Sequence, residues 1–406
     1  MTVMAIKLQK NIYMMGLVSL FTDLSSQMIY PLIPEFLTRI GASKSLIGLI
    51  EGVADGTAAL VRIIGGRLSD KLRKRRLFVF IGYGLSTIAK PFLFFAHHWG
   101  VVFTVRFLDR AGKGLRVPAR DALVCDSVEP SRKGYAFGFH RGMDRLGGAG
   151  GPLLAMLVLS QTHDNLRMVF LLSVIPAAIA VMLIGKVKEI APVCKTVGEF
   201  RKGQKVLNRS FALFVLSVVI FTLGNSSNAF LILKAREAGL SAAGIPLIWL
   251  TYNVVCSLSS PVFGHFSDWI GRKPLILVSF LVYGAIYAGF GFSSQLSVSW
   301  QLPAVWLLFA CYGLYYGLSE GVFRAYIADL VESEKLATAF GFFNTAVGVT
   351  LIPASIIFGA LWDRFSSATA FFAAAALALA GGCVFLATQG GLRGVKRDSR
   401  AIRPTA

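Results

Sequence analysis

Gly66-Arg67-Leu68-Ser69-Asp70-Lys71-Leu72-Arg73-Lys74-Arg75-Arg76 returns in the second half of the chain as Gly264-His265-Phe266-Ser267-Asp268-Trp269-Ile270-Gly271-Arg272-Lys273. In both copies a glycine, a serine and an aspartate close an apolar stretch and open a basic cluster. A second echo follows the first. Asp126, Val128, Glu129 and the run Ala136-Phe137-Gly138-Phe139 recur 203 positions later as Asp329, Val331, Glu332 and Ala339-Phe340-Gly341-Phe342. A chain that repeats itself on a background of long apolar runs is a membrane protein built from two similar halves.

Composition identifies the solvent. Of 406 residues, 55% are hydrophobic and only 15% charged, and the mean hydropathy of +0.65 excludes a soluble domain of this length. Stretches near the ~20 residues that span a bilayer fall at 12–36, 46–64, 77–96, 100–122, 135–159 and 168–186, then at 211–233, 244–264, 274–293, 303–326, 337–361 and 367–389. The expected fold is an all-α membrane protein with twelve transmembrane helices in two pseudo-symmetric six-helix bundles. The expected domains are an N-terminal bundle over 1–186, a linker over 187–210, a C-terminal bundle over 211–389 and a basic tail over 390–406. The first apolar run is too long for a cleavable signal and continues into Pro31 and Pro34.

Lysine and arginine placement sets orientation. With the N-terminus inside, the cytoplasmic connections and tails hold Lys7, Lys10, the cluster from Arg67 to Arg76, Arg132, Lys133, the basic linker, Arg272, Lys273, Lys335 and the tail's Arg393 to Arg403. The outer side holds only Arg39, Lys44, Arg167, Lys234, Arg236 and Arg364. Both termini are therefore expected in the cytoplasm. Trp99, Trp249, Trp300, Trp306 and Trp362 fall near the outer interface, where an amphipathic indole is at home. The +20 net charge reads as topology and anionic-lipid contact rather than nucleic-acid binding, since no basic soluble domain exists to carry it. Five scattered cysteines suggest neither a disulfide nor a metal site, and no cofactor is expected.

The Gly-x3-Asp-basic loop after helix 2 and again after helix 8 resembles the hallmark loop of the major facilitator superfamily. Leu108, Arg110 and Gly114 on helix 4 resemble its buried-arginine motif, and Gly138, Gly147, Gly151 and Pro152 on helix 5 the glycine spacing of its antiporters. Asp23 to Pro31 and Asp109 to Gly114 look like a bacterial, drug/proton-antiporter-like branch, which implies a bacterial inner membrane. The resemblance covers essentially the whole chain. It departs at Arg73, where the loop glycine is expected, and at Ala155 and Met156, which replace the closing glycine pair. What it implies is secondary transport by alternating access, not an enzyme activity. Gly66, Asp70, Arg75, Gly147, Gly151, Pro152, Gly264, Asp268 and Arg272 are then the candidate conformational switch. Physically, glycines on one helical face admit a neighbouring backbone, a proline bends the helix, and an aspartate at a helix junction caps or pairs.

Charge at membrane depth locates the chemistry. An ionisable group there costs about 2.5–3.5 kcal/mol even on the lenient insertion scale, so it faces a cavity or a partner. Arg62, Lys90, Arg106, Arg110, Lys113, Arg116, Arg120, Arg141, Arg145 and Arg324 are the bases left over after the loops are assigned, and nine of them are in the first half. Asp23, Asp55 and Asp144 lie at the level of Arg110. A carboxylate at that depth is neutral when alone and ionised beside an arginine, which is a proton switch. Asp23 is the leading proton carrier with Arg110 as its alternating partner, and Asp55 and Asp144 are second choices; a fixed buried ion pair is the competing reading.

The second half is different. Helix 10 carries Tyr312, Tyr316, Glu320 and Arg324 at four-residue steps, and helix 7 carries Asn225 and Asn228. Because helices 1, 4, 7 and 10 line the cavity in the superfamily, the resemblance implies a proton-handling first half facing a substrate-handling second half. With Lys113 these residues are the candidate substrate contacts. The expected substrate is a small organic solute, anionic or amphipathic, and the expected coupling ion is the proton. The leading reading is a monomeric proton-coupled exporter; the alternative is a symporter importing a nutrient or a metal chelate such as a siderophore.

Overall fold

Helix ends are written into the chain by residues that cannot continue a helix. Gly41 and Gly239 close the first helix of each half with φ of +83° and +91°, each giving its N–H to a carbonyl three residues back. His98 and Asn165 open later helices by accepting backbone N–H groups from Gly100 and from Arg167 and Met168. The computed structural model describes residues 10–128, 133–189, 209–331 and 336–390. Every regular element among them is helical.

Twelve membrane helices result. α1 comprises Lys10–Ile29, a 3-10 turn over Tyr30–Leu32 and Ile33–Arg39; α2 is Lys44–Leu72; α3 is Arg75–Ala89 with a 3-10 turn over Lys90–Leu93. α4 is Trp99–Asp126, α5 is Lys133–Gln161, and α6 comprises Leu166–Leu172 and Val174–Ile184. α7 comprises Arg209–Gly224 and Ala229–Glu237, followed by α8 Ile245–Ile270, α9 Arg272–Ser293, α10 Val298–Leu330, α11 Leu336–Arg364 and α12 Ser367–Gly390. α6 and all six helices of the second half are long and apolar enough to cross a membrane by length and composition. α1 to α5 are interrupted by polar side chains, and Glu51, Lys90, Arg106 and Arg116 among these are buried.

Within the first half α1 packs on α5 and α6, and α4 on α2 and α3; within the second, α10 packs on α8 and α9, and α12 on α7 and α9. Between the halves the most extensive contact is α2 against α11, with a smaller one of α5 against α8. Gly48, Gly52 and Gly56 stand at one-turn steps along α2 and meet Ser355 and Ile352 of α11. A Cβ on Gly52 would lie 3.1 Å from the Ile352 backbone, and Gly348 of α11 meets Ala59 one turn further on. This contact runs from the start of α2 to about its middle. The face at which α1 starts and α2 ends carries the cluster Arg67–Arg76 and is here the basic face; α2–α11 packing closes the opposite face.

Three sequence expectations change. Trp249 is 3% exposed and packs against Tyr30 and Tyr252 rather than lying in a lipid interface. Cys125 is disulfide-bonded, so the scattered spacing of the cysteines misled; Cys256, Cys311 and Cys383 are free. Val187, Lys188 and Glu189, assigned by sequence to the linker, pack on the first half: Lys188 exchanges hydrogen bonds with Asn11, and Glu189 accepts the N–H groups of Arg75 and Arg76 at 3.0 and 2.8 Å. The rest of the linker and the tail beyond residue 390 lie outside the described residues.

Candidate functional site

The site is built from α4 outward. Gly112 and Gly114 flank Lys113, and a Cβ on either would sit 2.5 Å from the Gly82 carbonyl of α3 or 2.8 Å from the Ala58 carbonyl of α2. α4 is therefore wedged between α3 and α2 by its two glycines, which leaves Lys113 on the free face. That face borders a cavity of about 300 Å³ lined by Asp23, Ser26, Gln27 and Tyr30 of α1, Asp55, Lys90, Asn228 and the α4 series Arg106, Asp109, Arg110, Lys113 and Arg116.

Some of these charges are already spent. Arg106 makes a buried fork to Glu51, Nε–Oε1 2.8 Å and Nη2–Oε2 2.5 Å, so the charge inside the apolar run of α2 is held by a charge-assisted pair. Arg110 pairs with Asp55 at 3.3 Å, not with Asp23. Arg116 gives hydrogen bonds to Ser86 Oγ at 2.7 Å and to the Gly82 carbonyl and lies over the Tyr83 ring. Lys90, only 4% exposed, donates to Ser25 Oγ at 2.6 Å and Ser26 Oγ at 3.3 Å, while Ser25 donates to the Ser173 carbonyl. Its cation thus has hydroxyl partners and no carboxylate at ion-pair distance among the described residues.

Two groups stay open. Among the described residues neither Asp23 nor Lys113 makes a hydrogen bond or an ion pair, though both line the same cavity. Asp23 stands in the field of Asp144, Lys113, Arg120 and Arg116. Asp144 itself is engaged: Ser19 Oγ donates to it, and His140 Nδ1 lies 3.6 Å away.

A second cavity of about 730 Å³ continues from Asp23 and Gln27 toward the basic face, past Arg141, Asp144 and Arg145 of α5, α8 and the exposed pair Glu320–Arg324. The way to the opposite face is shut. Trp249 Nε1 donates to Gln27 Oε1 at 2.9 Å, Arg236 of α7 forks onto Glu35 of α1 at 2.8 and 3.0 Å, and Asp363 of α11 accepts from the Lys44 and Ser45 N–H groups at the start of α2.

The second-half candidates line a third cavity of about 260 Å³ that shares Tyr30, Asp55 and Asn228 with the first. α7 is unwound between Gly224 and Ala229, and Ser227 N–H is held by Ser355 Oγ at 3.1 Å. The break presents Asn225 and Asn228 to the cavity beside Tyr315 and Tyr316. Tyr312 is fully buried behind them and gives its hydroxyl to Asn228 Oδ1 at 2.7 Å, so it holds a lining residue rather than lining the cavity.

The candidate switch residues divide. Arg75 at the start of α3 pairs with Asp126, and Arg272 at the start of α9 with Asp329 at 2.5 Å, which joins the two sequence echoes to each other. Gly147 and Gly151, with Pro152 in mid-helix, press α5 onto α1 at Leu20, Asp23, Leu24 and Gln27 within the first half. A Cβ on Gly264 would meet nothing within 4 Å, and Gly66 makes only ordinary contact with Pro118. The side chains of Asp70 and Asp268 lie outside the described residues. Sequence reading passed over Glu51, Glu35, Arg236 and Asp363; the Gly48–Gly52–Gly56 spacing was the visible sign of the α2–α11 seam.

Two six-helix halves enclosing a charged, partly unpaired central cavity open to one face define a secondary transporter. The chain belongs to the major facilitator superfamily: the sequence model of that family matches residues 15–352. It is 35% identical over 387 residues to an uncharacterised MFS-type transporter of Methanocaldococcus jannaschii, covering 94% of this chain and 95% of that protein. The fold is similar to the crystal structures of a point variant of the nucleoside transporter NupG, with a TM-score of 0.78 at 13% identity over 93% of this chain and 100% of that one, and of a POT family transporter bound to 5-aminolevulinic acid, with a TM-score of 0.77 at 14% identity over 94% and 96%.

Proposed function

We propose that this chain moves a small organic anion together with protons across the inner membrane, as a monomer, with the basic face and both termini in the cytoplasm. The first bundle, which includes Val187 to Glu189, and the second, which begins at Arg209, rock about the central cavity, and the state described above is open inward. The observation that carries the reading is the open pair, Asp23 and Lys113, in one cavity.

The cavity charges favour an anion: Glu51 and Asp55 engage Arg106 and Arg110, while Lys90 and Lys113 face it without a carboxylate at ion-pair distance among the described residues. They also favour one sense of coupling. An ionised Asp23 competes with an incoming anion for Lys113, whereas a protonated Asp23 leaves Lys113 to the anion and removes a like charge from its path. Proton and anion therefore assist each other's binding, and mutual assistance is the linkage of a symporter. Antiport rested on the glycines of α5 and on the membrane-depth acids; Gly147 and Gly151 are accounted for by packing within the first half against α1, and the acids serve a symporter equally. The importing alternative is the one the geometry supports best.

The test is purified protein in liposomes with a trapped pH dye, challenged from outside with a panel of organic acids. Symport predicts acidification of the lumen on addition of a transported acid beyond that of empty liposomes; alkalinisation would mean exchange and overturn the proposal. Asp23→Asn should keep substrate counterflow and lose the proton signal, and a variant that still moves protons removes Asp23 from the role.

A further inference from the structure

Five carboxamides border the cavities: Asn253 gives its NH2 group to the Trp249 carbonyl, Asn344 lines the third cavity, and Gln27, Asn225 and Asn228 each have the oxygen approached by a donor from behind. Gln27 Oε1 accepts from the Trp249 indole at 2.9 Å. The Tyr283 hydroxyl gives its one proton chiefly to the Gly224 carbonyl at 2.9 Å and reaches Asn225 Oδ1 at 3.3 Å as the weaker arm of a shared bond, whereas Asn228 Oδ1 accepts from Tyr312 at 2.7 Å. An indole N–H can only donate, so the orientation of Gln27 is fixed by chemistry. Tyr283 and Tyr312 are buried in the aromatic core of the second half. Gln27 thus offers its NH2 group to the first and second cavities, and with the tyrosine hydroxyls donating, Asn225 offers its NH2 to the third and Asn228 to the space shared by the first and third. With Lys113 and Lys90, these parts of the wall are donors.

We infer that the substrate is an organic anion carrying a second acceptor oxygen, a carbonyl or a further carboxylate, held by the Asn225 and Asn228 amides while its charged end lies at Lys113. Tyr283 and Tyr312 are positioning residues that set this specificity without touching the substrate. A donor wall left facing an alkyl chain keeps buried N–H groups unpaired, and that loss discriminates against plain aliphatic acids more strongly than any gain from shape. The inference rests on the organic-anion part of the proposed function and is independent of its proton coupling.

The matched probes are 4-oxopentanoate, pentanoate and the methyl ester of 4-oxopentanoate, with binding followed by tryptophan fluorescence of the purified full chain at fixed pH. The expected result is at least tenfold tighter binding of 4-oxopentanoate than of pentanoate, with no comparable response to the ester. Tyr312→Phe and Tyr283→Phe should bring the ratio of the two acids toward one while leaving pentanoate binding unchanged, which a merely structural role for the tyrosines would not do. Equal binding of the two acids, no binding of either, or an unchanged ratio in both variants overturns the inference. If the ester binds as well as the acid, the organic-anion reading falls with it. If selectivity holds while Asp23→Asn still moves protons, the coupling mechanism falls alone.

Discussion

Arg73 and Gly271 occupy the same step of the two halves, between α2 and α3 and between α8 and α9, and both take positive φ, +52° and +96°. This gives a physical reason for the one place where the basic loop departs from its family pattern. The turn demands a conformation that glycine adopts freely and that costs an ordinary residue about 1–2 kcal/mol. Arg73→Gly should therefore stabilise the protein by about 1 kcal/mol, seen as a rise of a few degrees in the thermal unfolding midpoint. Gly271→Ala should lower it.

Asp363 acts across the bundle interface as a cap for a helix it does not belong to. Its carboxylate takes the Lys44 N–H at 3.0 Å, the Ser45 N–H at 2.7 Å and the Ser45 hydroxyl at 2.6 Å. These donors are the orphan groups of the α2 N-terminus, where the helix dipole adds to the attraction. The cap exists only while the opposite face is closed. Losing it costs about 1 kcal/mol, so Asp363→Ala should raise the share of molecules open on that face about fivefold. Spin labels at Ser43 and Ser366 would report this as growth of a longer-distance population, and an unchanged distribution would remove Asp363 from the gate.

The repeat, the twelve helices and the bases stranded at membrane depth were legible in the sequence because each is a periodic or compositional signal. Pairing was not. Arg110 was expected to serve Asp23, yet Asp55 holds it in this state, since which of two acids at one depth meets an arginine depends on helix rotation and crossing that no spacing encodes. Tyr312 looked like a wall residue because it shares a helical stripe with Tyr316, and only tertiary packing shows it standing behind Asn228. Glu51 stands inside the 46–64 apolar run with no partner visible in the spacing. Its buried fork to Arg106 explains how that run exists at all.

That fork gives a sharp test. Glu51 is 1% exposed and Arg106 5%, and removing one partner of a buried pair strands the other charge at a cost of about 3–5 kcal/mol. Glu51→Leu should therefore express poorly or unfold many degrees early. Glu51→Leu with Arg106→Leu should recover most of the loss, because two apolar side chains leave no stranded charge. The thermal midpoints of the two single variants and the double variant decide it, and a double variant no better than the worse single would mean that the pair is not the relevant interaction.

Gly147 and Gly148 are neighbours in sequence and opposites in consequence. A Cβ on Gly147 would fall 3.0 Å from the Leu24 N atom and 3.1 Å from Asp23 Cβ, whereas one on Gly148 would meet nothing within 4 Å. The backbone of α1 cannot yield there without moving Asp23, the group assigned to the proton. Gly147→Val should thus reduce proton-linked transport at least tenfold while the protein still purifies as a folded species, because α1 can shift outward and stay packed on α6. Gly148→Val, equal in bulk and in β-branching on the same helix, should transport within about twofold of wild type, since its side chain enters the open space of the second cavity, about 730 Å³, and presses on no neighbouring helix. The comparison separates the placement of Asp23 from general damage to α5: equal loss in both variants would point to the helix, and equal activity would show that α1 tolerates displacement at the very position where the coupling proposal needs it fixed.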